Sequence, residues 1–563
     1  MTPLREPFAA VPPPVRPAPV ERDDNANIAR HLALMAAAQS DHPALKIPRG
    51  RTGDGAIDYL TLTFAELDAE VSNWCGRLAV SGAKPGDRAL VMVKSGLPLI
   101  AAVFALFRVG CVPVVIDPGM GFKNFLACVA RSRPRVLVGI PLAQFTSRLF
   151  RGAFSTVTTR ISVPNSPTAR ATGQYSSAKN STHHANASDL AAILFTSGST
   201  GTPKGVCYEH GMFEAQVRLI RSTYQIAPGE IDLPMLPIFA LFNPALGMTT
   251  IVPEMDPRRP AAVDPAKIVQ AILQENVTNS FGSPTLWLKV SEHCAKNGIT
   301  LPSLRRVLSA GAPVPAALWE KSRSLLPNGV LHSPYGATEA LPIASVSSRD
   351  VDTTSTQGAC VGRPVSEIQV RIIEVTDEPI PTFADARERR TGEIGEIIVR
   401  GPVVTKTYDA QPEATALAKI RDDETWHRMG DCGFIDDVGR IWFVGRKAER
   451  VTTPAGVLFT EPVEQVFRQH PRVARCALVG IGPRGEQQPA IVVETHAMRA
   501  GAAREFAREL RTLALKYPHT SAITRYYFHP EFPVDVRHNA KIHRLALARW
   551  AETAQGVDTA GTP

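Results

Sequence analysis

The stretch AAILFTSGSTGTPKGV, Ala191 to Val206, constrains this chain more than any other. Ala191 to Phe195 is an apolar run of the length of a buried strand. It opens into Thr196, Ser197, Gly198, Ser199, Thr200, Gly201, Thr202, Pro203, Lys204 and Gly205. Glycines permit backbone conformations closed to other residues, so several N–H groups can converge on one anion, while hydroxyls add donors and Lys204 a point charge. A strand that empties into a polyphosphate cradle predicts an α/β fold. The usual nucleotide P-loop places its lysine after the second glycine, whereas here Lys204 precedes Gly205, which argues against a kinase or GTPase. A plain Gly/Ser/Thr linker would not need the strand or the lysine.

The run resembles the phosphate-loop signature of the ANL superfamily of adenylate-forming enzymes, which groups acyl-CoA synthetases, peptide-synthetase adenylation domains and luciferases. Three further stretches carry the resemblance: Ser309-Ala310-Gly311-Ala312-Pro313, Ser333-Pro334-Tyr335-Gly336-Ala337-Thr338-Glu339, and His427-Arg428-Met429-Gly430-Asp431 followed by Gly445-Arg446. The resemblance implies a site for ATP and Mg²⁺. Gly311, Ala312 and Pro313 would form an adenine shelf, Tyr335 with Gly336 and Ala337 would cover the base, and Thr338 would donate to the α-phosphate. Glu339 would ligate the metal, a role suited to a carboxylate oxygen, and Asp431 and Arg446 would hold the ribose. Pro533 to Ile542 resembles the lysine motif of the same superfamily, making Lys541 the expected catalytic lysine, with Thr338 and Glu339 as its catalytic companions. An ammonium group there would meet the negative charge that develops as a carboxylate attacks the α-phosphorus.

Leu236-Pro237-Ile238-Phe239-Ala240 falls on the acyl-pocket segment of the superfamily, where many members carry a bulkier residue in place of Ala240. Phe239, Ala240, Phe242, Phe281 and Gly311 are the expected substrate contacts. Ala240 either opens room beside the carboxylate for a branched acid or is filled by a neighbouring aromatic such as Phe239 or Phe242. The longer run Phe239 to Ala261 resembles the β-lactone synthetases of bacterial long-chain olefin biosynthesis. That resemblance implies a 2-alkyl-3-hydroxy fatty acid substrate, attack of its own β-hydroxyl on the adenylate, and association with sibling enzymes of the olefin pathway. His210 and His332 are candidates for the base only because they lie near motifs. In the segment that guides a thiol in CoA-using relatives, Pro454 stiffens the loop, and Gly456 to Pro462 is a residue longer than expected. An ordinary fatty acyl-CoA synthetase is the alternative enzyme, and a non-catalytic nucleotide-binding subunit the alternative from another class.

The expected architecture is α/β: a large N-terminal adenylation domain of mixed sheets and helices, residues 26–445, and a small mobile α+β domain, residues 446–552, carrying the lysine. Residues 1–25 read as a Pro-rich disordered tail, 154–188 as a mobile Ser/Thr-rich insertion and 553–563 as a second tail. With 563 residues, 44% of them hydrophobic, the chain exceeds the size at which single cores divide. Thr63 with Glu66 predicts a capping box opening a helix over 64–80. Leu97 to Ile116 is apolar enough to suggest a membrane span, but Pro98, Gly110 and Asp117-Pro118 divide it into helix then strand. Where the pivot residue of the superfamily usually is Asp or Lys, this chain has Ala448 between Lys447 and Glu449. The net charge of +9 favours anionic ligands, but no Lys/Arg stripe with aromatics predicts a nucleic-acid groove. Eight scattered cysteines with no C-x-x-C pair, and an N-terminus lacking an apolar signal region, predict a cytoplasmic protein with free thiols.

Overall fold

The structure, a computed structural model, describes residues 24–171, 181–196, 202–256, 259–496, 498–534 and 541–560. Most of the Pro-rich tail, the phosphate-loop residues Ser197 to Gly201, Asp535 to Ala540 of the lysine motif and the last three residues lie outside the described residues.

Two sheets build the large N-terminal part. One is a six-stranded sheet in the order Thr159–Ser162, Val136–Gly139, Arg88–Met92, Val112–Ile116, Leu190–Thr196, Lys204–Glu209, as counted among the described residues. Its neighbours pair in parallel except the last two, which form an antiparallel hairpin. Parallel strands need helical crossovers, and the apolar segment supplies one. Leu97–Arg108 is a helix in which every residue but Leu99 is buried, and Val112–Ile116 returns as a strand. Arg108, the one charge in that helix, bonds Asp68 and Ser72 of the preceding helix, Phe64–Val80. Among the described residues no helix is long and apolar enough to cross a membrane. The capping box forms as expected: Thr63 accepts from the Glu66 N–H while Glu66 accepts from the Thr63 N–H.

The second sheet is larger. Arg306–Ser309 pairs in parallel with Val330–Ala337, which turns directly into antiparallel Ala340–Ser347. Farther along, Trp426–Ile435 and Ile441–Arg446 form an antiparallel pair. The expected adenine shelf, the Thr338–Glu339 turn and the Asp431–Arg446 pair thus belong to one continuous sheet, while the glycine-rich loop joins two strands of the six-stranded sheet. The chain after Arg446 has separate apolar cores, built from residues of 451–551, around a four-stranded sheet.

Two stretches differ from the sequence reading. Within the expected insertion, Thr159–Ser162 is an edge strand beside Val136–Gly139, with Ile161 and Val163 buried. Within the expected second tail, Val557–Asp558 pairs with Arg525 and Tyr526, and Thr559 is buried. Both are short and polar, and the neighbouring strand supplies the order that their own composition does not.

Candidate active site

The stem of the glycine-rich loop is a hairpin in which Thr196 stands opposite Lys204. Gly205 is needed for close approach: a Cβ there would meet the Phe195 ring at 2.9 Å. The stem is fastened from outside, since the Pro203 carbonyl accepts from Arg131 at 2.9 Å and from Gln411 at 3.3 Å, and the Gly205 carbonyl accepts from the Asp409 N–H at 2.7 Å. Thr202 is exposed and Lys204 half-buried, its ammonium 5.0 Å from the centre of the Tyr408 ring. Burial lowers the Lys204 pKa, partly offset by Glu339.

Thr338 and Glu339 form the two-residue turn between Val330–Ala337 and Ala340–Ser347, with Ala337 paired to Ala340. Gly336 lets this turn fold tightly, because a Cβ would lie 2.8 Å from the Ala340 carbonyl. Three groups hold the turn from beneath. The Tyr208 hydroxyl donates to the Thr338 carbonyl, the Thr405 N–H and hydroxyl donate to the Glu339 carbonyl at 2.9 and 3.1 Å, and the Tyr408 hydroxyl donates to Glu339 Oε1 at 2.7 Å. A carboxylate fixed in this way at a turn suits Mg²⁺, which keeps most of its shell for phosphate oxygens and water. Among the described residues there is no cluster of three or more His, Cys, Asp or Glu that could hold a metal ion.

Asp431 and Arg446 are cross-strand partners, and Arg446 Nη1 donates to Asp431 Oδ1 at 2.7 Å. Tyr335 donates its hydroxyl to the other oxygen, also at 2.7 Å. Burial, then Asp431, holds the Tyr335 phenol well above its usual pKa, and Asp431 raises that of Arg446. A carboxylate has about four acceptor sites, so Asp431 retains capacity for two ribose hydroxyls. Gly311, with φ +98°, Ala312 and Pro313 follow the strand Arg306–Ser309 after Ala310. Arg428 does not face this site. It is 1% exposed, bonds Glu396 at 2.6 Å, and donates to the carbonyls of Glu378, Leu417 and Thr376. Lys541 is exposed and precedes Ile542, which bridges to Val534.

The segment expected to form the acyl pocket is a 3₁₀ helix, Pro237–Leu241, followed by the helix Asn243–Leu246. Phe239 stacks on Phe281 with ring centres 3.8 Å apart. From Phe239 the aromatic contacts continue through Phe242 and Phe213 to Tyr208, which supports Thr338. Ala240 is buried and borders a narrow cavity together with Leu99, Ile100, Met235, Val252 and Met255. Ser95, Thr250 and three prolines also line it. His210 and His332 are poorly suited to act as bases. Burial pushes each down to about 4, His210 Nδ1 accepts from the Ile28 N–H, and the His332 ring packs edge-on against Tyr224.

Residues 33–409 match the family model described as AMP-binding enzyme. The chain belongs to the AMP-binding enzyme family. Among its curated relatives, the olefin beta-lactone synthetase of Xanthomonas campestris pv. campestris is 44% identical over 93% of this chain and 97% of its own length. The protein of the same name from Stenotrophomonas maltophilia is 42% identical over 93% and 98%. Among solved structures, the amide bond synthetase McbA from Marinactinospora thermotolerans superposes with a TM-score of 0.76, at 24% identity, over 93% of this chain and 99% of its own. ATP-bound MatB from Rhodopseudomonas palustris gives 0.76 at 21% identity, over 94% and 99%. Both likenesses support the fold.

In this AMP-binding enzyme, the sequence motifs left three supporting residues unread: Tyr208, Tyr408 and Lys419. Lys419 interrupts the apolar run Ala414 to Ile420, and a lone lysine in such a run was the one local signal of an interior ammonium. Tyr208 and Tyr408 have none, because each reaches the Thr338–Glu339 turn from a remote part of the chain.

Proposed function

We infer that this chain adenylates a 2-alkyl-3-hydroxy fatty acid with ATP and closes the product to a β-lactone, in long-chain olefin biosynthesis. The observation that carries this reading is the identity of 44% over 93% of the chain to an olefin beta-lactone synthetase. The substrate carboxylate attacks the α-phosphorus, the bond to pyrophosphate breaks, and an acyl-adenylate forms. The β-hydroxyl then attacks the acyl carbon and gives its proton to solvent water, the bond to AMP breaks, and a four-membered lactone leaves. The nucleophile is tethered to its electrophile, so fixing one conformer replaces capture of a second substrate.

Asp431, held by Arg446 and Tyr335, would orient the ribose, and Gly311 to Pro313 would lie against adenine. Lys204 and the loop it closes would hold the polyphosphate, and the Thr338 hydroxyl would bind the α-phosphate. Glu339 would hold Mg²⁺, whose charge offsets that of the phosphates. Lys541 would contact the reacting oxygens. Phe239, Phe242 and Phe281 would line the acyl site, with the space beside Ala240 receiving the branch next to the carboxylate. Because the substrate and lactone carry two alkyl chains and dissolve poorly, hand-off to sibling pathway enzymes is a natural arrangement. The eight cysteines are all unpaired, which suits the cytoplasm.

A fatty acyl-CoA synthetase is the second reading, supported by relatives such as a feruloyl-CoA synthase of Amycolatopsis, 30% identical over 78% of this chain. The test is product analysis by mass spectrometry or NMR from one 2-alkyl-3-hydroxy acid with ATP and Mg²⁺, with and without CoA. A lactone, AMP and pyrophosphate should form without CoA. A thioester formed only with CoA, and no lactone without it, would leave the synthetase.

A further inference from the structure

A buried lysine reaches the Thr338–Glu339 turn through Thr405. Lys419 ends the helix Pro412–Ala418 and begins a two-residue strand beside Trp426–Ile435. It is 3% exposed. An ammonium group has three donors, and the hydrogen bond described for this one goes to the Thr405 hydroxyl at 3.2 Å. Thr405 in turn donates to the Glu339 carbonyl. The Lys419 ammonium also lies 5.8 Å from the centre of the Tyr408 ring, against which Lys204 packs at 5.0 Å, both within cation–π range. The Tyr408 hydroxyl donates a hydrogen bond to Glu339 Oε1. Two ammonium groups therefore share one aromatic ring and face one carboxylate, Glu339, the anion that acts on both.

Burying a cation without its own counter-ion is unfavourable, and an apolar residue of similar size would be as stable or more so. Burial accordingly pulls the Lys419 pKa down to about 7, with Glu339 resisting and Lys204 adding to the fall. The nearby His427 imidazole, also buried, is held well below its usual value, partly by Lys419, and so adds no charge. Stability of the empty protein gives no reason for the lysine. An anion arriving over Glu339 and Lys204 does.

We propose that Lys419 is a positioning residue for the nucleotide polyphosphate: a buried ammonium group that, with Lys204 across the Tyr408 ring, gives the floor of the site a positive charge that polyphosphate matches. It acts through Thr405 and Tyr408, which set the Thr338–Glu339 turn, and by its field on the phosphates. The proposal rests on the adenylation reading, and it is independent of which acid is activated.

The experiment compares the full-length protein with Lys419→Met, which keeps length and removes charge. Affinities for inorganic pyrophosphate, ATP and adenosine are measured by calorimetry with chelator present, alongside the thermal midpoint without ligand. The expected result is pyrophosphate and ATP binding weakened at least tenfold, adenosine binding unchanged, and a thermal midpoint equal to or above that of the wild type. Unchanged pyrophosphate and ATP affinities would overturn the proposal. So would a lowered midpoint with adenosine affinity falling alongside ATP, since that is the signature of a structural lysine. Lys419→Gln, which keeps a donor for Thr405, is the second variant. If neither variant gives a folded protein, the lysine belongs to the core and the proposal fails. A wild type that binds neither ATP nor pyrophosphate, even with Mg²⁺ restored, would remove the adenylation reading instead.

Discussion

Asp232→Asn should remove a pH dependence of stability at the base of the expected acyl-pocket segment. Asp232, on the strand Ile231–Pro234, is 7% exposed and accepts from Asn243 Nδ2 at 2.9 Å, while Asn243 also donates to the Thr250 hydroxyl at 2.9 Å. Asn243 directly follows Phe242, so this knot holds the end of the 3₁₀ helix. Burial pushes the Asp232 carboxyl up to about 7 from 3.8, with Glu230 adding to the rise and Asn243 opposing it. The folded state therefore binds a proton that the unfolded chain releases between these values. Its stabilisation is complete below 3.8 and is lost as pH rises through about 7. Three units at 1.36 kcal/mol each give an upper limit of about 4 kcal/mol lost by pH 8. An asparagine keeps an acceptor for Asn243 but replaces the other carboxyl oxygen by an amide donor, and a buried donor left unpaired costs about 1–3 kcal/mol. The variant should thus melt below the wild type at pH 5 and approach or exceed it at pH 8. Scanning fluorimetry over this range is the assay, and melting curves that stay parallel at every pH would refute the argument.

Lys541→Ala should lower substrate-dependent pyrophosphate release by about 10²–10³ while leaving ATP affinity nearly unchanged, because the ammonium acts on charge that develops only in the transition state; release near the wild-type rate removes Lys541 from the mechanism. Glu339→Gln retains an oxygen for the Tyr408 hydroxyl but loses the charge, so the half-saturating Mg²⁺ concentration should rise about tenfold, equivalent to about 1.4 kcal/mol. Overlaid magnesium titrations would make Glu339 structural.

The sequence revealed elements whose signals are local. The Thr63–Glu66 capping box specifies its helix within four residues, and Gly110 and Asp117-Pro118 divide the most apolar segment into helix and strand where the structure does. The loop motifs likewise announce their strand ends. What escaped depends on partners distant in sequence. Lys204–Glu209 continues the glycine-rich loop as a strand, which its glycine and two charged residues disguise, and pairing with Leu190–Thr196 makes it one. Thr159–Ser162 has a composition suited to a loop and becomes a strand because Val136–Gly139 presents an open edge. Tyr408 is 69 residues from Glu339, and only the folded sheet shows that its hydroxyl sets the carboxylate. The space at Ala240 was open to two readings because filling it is a matter of which neighbours arrive, and Met235 and Met255 come from either side of the segment.

The linker after Arg446 divides its loyalties within three residues. Lys447 is bound backwards, its ammonium 3.0 Å from both Glu396 and the Thr376 carbonyl of the larger body. Glu449 is bound forwards, 3.1 Å from Arg544, which is itself clasped by Glu464 at 2.7 and 2.8 Å within the smaller body. Ala448 stands between the two moorings with only a methyl group to carry. A turn of the smaller body that kept both moorings would fall on the backbone around Ala448, as in a swivel. Asp377 would act as its detent, since it grips Arg450 and Arg484 together at 2.9 Å each and would have to release both before the swivel could turn.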